Sequence, residues 1–177
     1  MQPKILVAGI GNIFLGDDAF GSEVARQLAV RNLPDEVQVI DFGIRGLDLA
    51  YALLEPRDVT ILVDASPRGG EPGTVYTIEP DLRPLLEGDS RQPLIEPHGM
   101  NPMKVLEMVR GMGGEFKRIL LVGCEPETLG GEEGFMGLSA PVQAAVGKAV
   151  QVVEMLVANI LAEDDSGAIK AQHVAAD

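Results

Sequence analysis

The chain is 177 residues long, 46% hydrophobic and 23% charged, which suits one globular domain with a sizeable core. Its formal net charge of −13 opposes a nucleic-acid partner and an anionic membrane surface, and favours a metal ion or a basic protein segment. The single cysteine, Cys124, excludes an internal disulfide.

The opening MQPKILVAGI lacks the charged flank, long apolar run and cleavage site of a signal peptide. No segment reads as the roughly 20 apolar residues needed to span a bilayer. The expectation is a cytoplasmic protein without membrane insertion.

Lys4 to Ala8 is a short apolar run before glycine, the pattern of a strand buried on both faces. Residues 17–30 follow as a helix with Phe20, Val24 and Leu28 on one face. Gly21 lets that helix approach the sheet closely. Residues 37–41 predict a second strand, 46–54 a short helix and 59–64 a third strand. Thr74 to Ile78 alternates after the turn Pro72-Gly73 and reads as an edge strand running antiparallel. Residues 79–100 hold four prolines and no clear period, so they read as a long surface loop, a common place for function.

Asn101 is an N-cap candidate with Pro102 at the first helical position, for a helix to about Gly111. Residues 118–123 predict a fifth strand. The last helix starts near Ser139 and Pro141, with Val142, Val146, Val150, Val153, Val157 and Ile160 as one apolar stripe. The stripe stops after Ala162, so residues 1–162 read as a single domain and 163–177 as a flexible tail. Alternation of strand and helix implies an α/β sandwich with a largely parallel sheet and right-handed crossovers. Ligands collect at the carboxyl ends of the strands in such folds.

The stretch GIGNIFLGDDAFG, residues 9 to 21, begins like a dinucleotide loop, and Asp41 ends the second strand where a ribose-binding acid would sit. Phe14 occupies the third glycine position, however. Asp17 and Asp18 stand at the helix start, where a pyrophosphate would need free N–H groups and positive dipole. Two acids in a first turn also serve capping and the helix dipole, so one of the pair is expected to cap.

Asp64 ends ILVDAS at the carboxyl edge of the sheet, where a carboxylate needs a donor, a cation or a metal, or serves the turn with Ser66. His98 lies in EPHGMNP just before a helix, and the other histidine, His173, is in the tail. Topology brings Asp18, Asp64 and His98 to the same edge. Two carboxylates and an imidazole make a site for a borderline divalent ion such as zinc or nickel.

Met100, Met103, Met108 and Met112 cluster around the third helix, as core filler or as an adaptable partner surface. Cys124 reads as a small buried residue rather than a nucleophile. No H-E-x-x-H and no G-x-S-x-G is present.

These segments resemble the hydrogenase maturation proteases, over almost the whole chain to about residue 160. ILVAGIGNIFLGDDAFG is similar to the family's G-[IV]-G-N-x-x-x-x-D-[DE]-x-x-G pattern, VIDFGIRGLDL to its D-x-G-x-x-G element, and LVDA and PHGM to the segments that carry its second and third metal ligands. LLVGCEPE and GLS are similar as well. The resemblance implies a three-layer α/β/α sandwich with a five-stranded, mostly parallel sheet. It implies Asp18, Asp64 and His98 as nickel-contacting ligands, and Asp41 as a further characteristic acid, either a general base or a holder of its loop.

The implied activity is an endopeptidase that removes a short C-terminal extension from the large-subunit precursor of a nickel-iron hydrogenase after nickel insertion. The nickel is carried by that substrate, and zinc or another divalent ion could replace it in vitro. A non-catalytic metal-binding chaperone of the precursor shares the site and stands as the alternative.

Overall fold

A computed structural model describes residues 4–83, 101–130 and 136–174, with side chains as far as Glu163. The strands are β1 (Ile5–Ile10), β2 (Val37–Gly43), β3 (Val59–Ala65), β4 (Val75–Ile78) and β5 (Ile119–Cys124). The helices are α1 (Phe20–Ala29), α2 (Gly46–Leu54), α3 (Pro102–Gly111) and α4 (Ala140–Val174), and a 3-10 turn, Gly16–Ala19, precedes α1.

The strands form one sheet in the order β2-β1-β3-β5-β4, with β4 antiparallel to β5 and the remaining pairs parallel. The chain leaves β1 for β2 on one side and returns to β3 on the other. The two halves of the sheet therefore diverge between β1 and β3, at the topological switch point where α/β sheets open a crevice.

β1 and β3 are buried along their whole length because both faces are covered. Side chains alternate between the faces. Ile5 and Val7 join Phe20, Val24 and Leu28 of α1 and the valine stripe of α4 in one core. Leu6, Ala8 and Ile10 join Leu49, Ala50 and Leu53 of α2 and Val105, Leu106 and Val109 of α3 in the other. The result is the expected α/β/α sandwich. Asn101 caps α3 as predicted, its side chain accepting from the Met103 N–H at 2.9 Å with Pro102 at the helix start.

Three expectations change. The helix foreseen over residues 17–30 begins only at Phe20, because Gly16–Ala19 is a 3-10 turn. Helical backbone in α4 continues to Val174, beyond Ala162, where the apolar stripe ends. Finally, Ala140–Glu163 is long and apolar enough to cross a membrane by length and composition, although no such segment was expected. Burial of its stripe from Val142 to Ile160 against the sheet accounts for that apolarity.

Candidate active site

The opening turn is shaped by close approach. A Cβ on Gly11, at φ +150°, would lie 1.8 Å from the Asp18 carbonyl oxygen. A Cβ on Gly21 would lie 2.1 Å from the Val63 carbonyl and 2.2 Å from that of Ile10. These glycines let the turn fold on itself and let α1 rest against β1 and β3, so the glycine pattern serves packing rather than a phosphate.

The paired acids of this turn have opposite fates. Asp17 is fully buried. Its carboxylate accepts from the backbone N–H of Glu127 (2.8 Å) and Thr128 (3.0 Å), and from both the N–H (2.6 Å) and the hydroxyl (2.9 Å) of Ser139. The Asp17 N–H donates to the Thr128 carbonyl at 3.1 Å. Asp17 therefore ties the opening turn to the connection between β5 and α4, and it does not cap α1. Asp18 is half-buried, and one of its oxygens accepts from the Asn12 N–H at 2.8 Å.

Asp64 lies near the end of β3, is buried, and is in register with Gly123 of β5. Gly123 is in turn in register with Tyr76 of β4, so all three share one face of the sheet. A Cβ at Gly123 would lie 2.3 Å from the Tyr76 ring, which shows that the ring lies over this glycine. The Tyr76 hydroxyl donates to the Ser66 carbonyl, and the Arg68 guanidinium stands 5.3 Å from the ring centroid. Burial pushes the Tyr76 hydroxyl above its ordinary value of 10.0. The hydrogen bond to Ser66 and the charge of Arg68 oppose that rise, while Glu125 and Asp64 add to it.

Behind this row, Glu125 is almost fully buried and accepts from the N–H groups of Arg68 and Gly69. Burial pushes its carboxyl upward. Hydrogen bonds from the Arg68, Gly69 and Gly70 backbones, with the Arg68 charge, outweigh that and hold it below the ordinary 4.5.

On the other flank of β1, Asp41 Oδ1 accepts from the Ser22 hydroxyl (2.7 Å) and from the Gly43 N–H (3.0 Å). The Gly43 carbonyl accepts from the Gly11 N–H at 3.1 Å, so the turn after β2 is stitched to the opening turn. Asp41 also faces a groove of about 290 Å³ between these two turns.

Asp18 lies in the turn after β1, and Asp64 lies near the end of β3. Each follows or ends one of the two strands that bound the switch-point crevice, and the 3-10 turn bearing Asp18 packs against β3. The third expected ligand, His98, lies outside the described residues, as does Met100. Among the described residues no three His, Cys, Asp or Glu side chains form a metal-holding group.

Cys124 is buried, as the sequence suggested. Burial pushes its thiol up to about 11, with the charges of Asp17 and Glu125 adding to the rise, so it is no nucleophile at neutral pH. The methionines divide between roles, with Met103 packed on the core and Met108 and Met112 exposed.

Sequence reasoning missed Tyr76, Glu125 and Ser22. Tyr76 carried a faint signal in the alternating strand TVYTI, but nothing local announced that its ring would cover Gly123.

The family model described as hydrogenase maturation protease matches residues 22–156. The hydrogenase 2 maturation protease of Escherichia coli is 34% identical over 152 residues, covering 85% of this chain and 88% of that protein. The hydrogenase expression/formation protein HupD of Rhizobium leguminosarum is 35% identical over 150 residues, covering 84% of this chain and 71% of that protein. Among solved structures, the hydrogenase maturating endopeptidase HybD from Escherichia coli superposes with a TM-score of 0.73 at 33% identity, covering 88% of this chain and 93% of that one.

Proposed function

The chain belongs to the hydrogenase maturation protease family, and we propose that it removes a short C-terminal extension from the large-subunit precursor of a nickel-iron hydrogenase once nickel has been inserted. Its relatives and structural neighbours are hydrogenase maturation endopeptidases, and it is a peptidase of that kind acting on a hydrogenase precursor.

The observation that carries the finer reading is the placement of Asp18, in the 3-10 turn that follows β1, and of Asp64, near the end of β3, beside the crevice those two strands bound. Carboxylate oxygens suit a divalent cation, and His98 would add an imidazole by resemblance to the family. The nickel belongs to the substrate, held there by cysteine thiolates. It docks against these side chains and acts as the token that licenses the cut.

The chain's own residues prepare that contact. The Asn12 N–H fixes one oxygen of Asp18. Tyr76, Gly123 and Asp64 lie in one row, so the tyrosine ring screens the carboxylate's flank from water and strengthens its attraction for a cation. Asp41 acts as a positioning residue, because its Oδ1 holds both the Ser22 hydroxyl and the turn at Gly43.

The test mixes the purified chain with nickel-loaded and nickel-free precursor and reads intact masses. Loss of a C-terminal peptide from the loaded precursor alone supports the proposal. Binding with no change in mass, using precursor shown to mature otherwise, supports the chaperone alternative.

A further inference from the structure

The groove facing Asp41 opens into a larger exposed apolar surface. One wall is the opening turn, where Ile13 and Phe14 are 50% and 59% exposed. The opposite wall holds Ile44, 61% exposed. From there Leu47 and Tyr51 continue along α2, both more than half exposed. The four-residue spacing places Leu47 and Tyr51 on one side of the helix, with Ile44 in the turn just before it, while Leu49, Ala50 and Leu53 face the core. The short helix therefore carries two apolar faces, and only one is covered within the described residues. Contiguous exposed apolar surface rimmed by polar groups marks interaction sites.

We propose that this surface, the groove between the turns at 11–14 and 42–45 with the Ile44–Leu47–Tyr51 ridge, docks the hydrogenase precursor itself. The docked region is an apolar polypeptide segment of net positive charge. The inference rests on the proposed function and names where that substrate is held.

Three observations select this occupant. The turn that forms the groove wall also fixes Asp18, through the Asn12 N–H, so a chain lying in the groove is continuous with the proposed nickel contact. Asp41 and Arg45 both line the groove, and Arg45 is paired with Asp48 beside it, so no net positive charge stands there, and the chain's net charge of −13 attracts a basic segment. The same charge opposes a second copy of this chain, since two such molecules repel over any shared face. The apolar ridge supplies contact area, and the groove receives the extended portion that leads to the scissile bond.

The experiment titrates the full-length chain against nickel-loaded precursor and reads association directly, with cleavage followed separately. The variants are Leu47→Glu/Tyr51→Glu on the ridge, Phe14→Glu on the groove wall, and Met155→Glu on the exposed side of α4 as a control. The ridge and wall variants are expected to weaken association about ten-fold or more. Met155→Glu is expected to bind as the unsubstituted chain does, and every variant to keep its thermal midpoint. Should the ridge variant unfold, the wall variant decides.

Unchanged association in the ridge and wall variants overturns the proposal. So does a dimer of the unsubstituted chain that Leu47→Glu/Tyr51→Glu dissociates, because the face would then serve self-association. Lack of any association by the unsubstituted chain overturns both readings. Intact association without cleavage overturns the proposed reaction and leaves the docking surface standing.

Discussion

Asp17 and Ser139, 122 positions apart, are joined twice: the Ser139 N–H and the Ser139 hydroxyl both donate to the Asp17 carboxylate. That junction fastens the start of the last helix to the turn that presents Asp18. It separates two neighbouring acids into a clamp and a candidate ligand.

Substitution should expose that division. Asp17→Asn loses acceptor capacity in a buried site and should cost about 1–3 kcal/mol of stability. Asp18→Asn keeps an oxygen for the Asn12 N–H and should cost no more than about 0.5 kcal/mol, yet block precursor processing. Denaturant titration alongside the mass assay checks both. A folded Asp18→Asn/Asp64→Asn variant that processes normally would remove the metal contact from the site.

Gly123→Ala should displace the Tyr76 ring, since the new methyl would sit 2.3 Å from it. Overpacking of this kind costs about 1–3 kcal/mol. In a Tyr76→Ala background the same change should cost much less, and a double-mutant cycle reads the difference. Additive costs would mean that the ring does not lie where the register puts it.

Asp41→Asn distinguishes positioning from base catalysis. Its amide oxygen can still accept from Ser22 and Gly43, so a positioning residue should retain most of the processing rate, whereas Asp41→Ala loses it. A general base would lose activity in both variants. Single-turnover cleavage rates decide the matter.

Cys124, with its thiol pushed up to about 11, should resist iodoacetamide at pH 8 in the folded chain and react once unfolded. Cys124→Ala should still process the precursor. Labelling of the native chain, or loss of cleavage without loss of fold, would return the cysteine to the candidate nucleophiles.

Glu125 gives a pH signature. Its folded carboxyl lies below the ordinary 4.5, so its stabilising contribution is present above that value and is lost as pH falls through the folded one. Stability measured from pH 6 downward should therefore fall less steeply in Glu125→Gln than in the unsubstituted chain. Parallel curves would show that the backbone N–H groups of Arg68 and Gly69 do not hold this carboxylate in solution.

The sequence by itself determined the order of elements, the buried valine stripe of α4, the Asn101 cap and the antiparallel β4. It also marked Asp18 as an acid of the turn after β1 and Asp64 as an acid ending β3. These depend on periodicity and local turn chemistry, which neighbouring residues carry. Only the tertiary structure decided which of the two adjacent acids is a clamp, why Gly123 must lack a side chain, and that Asp41 and Ser22 hold one turn together. It also decided that α1 starts three residues later than its pattern suggested, at Phe20 rather than Asp17. Each of these outcomes is set by a hydrogen bond or a close approach between segments far apart in the chain. A buried carboxylate takes whichever donors the fold brings to it, and its nearest neighbours in sequence do not name them.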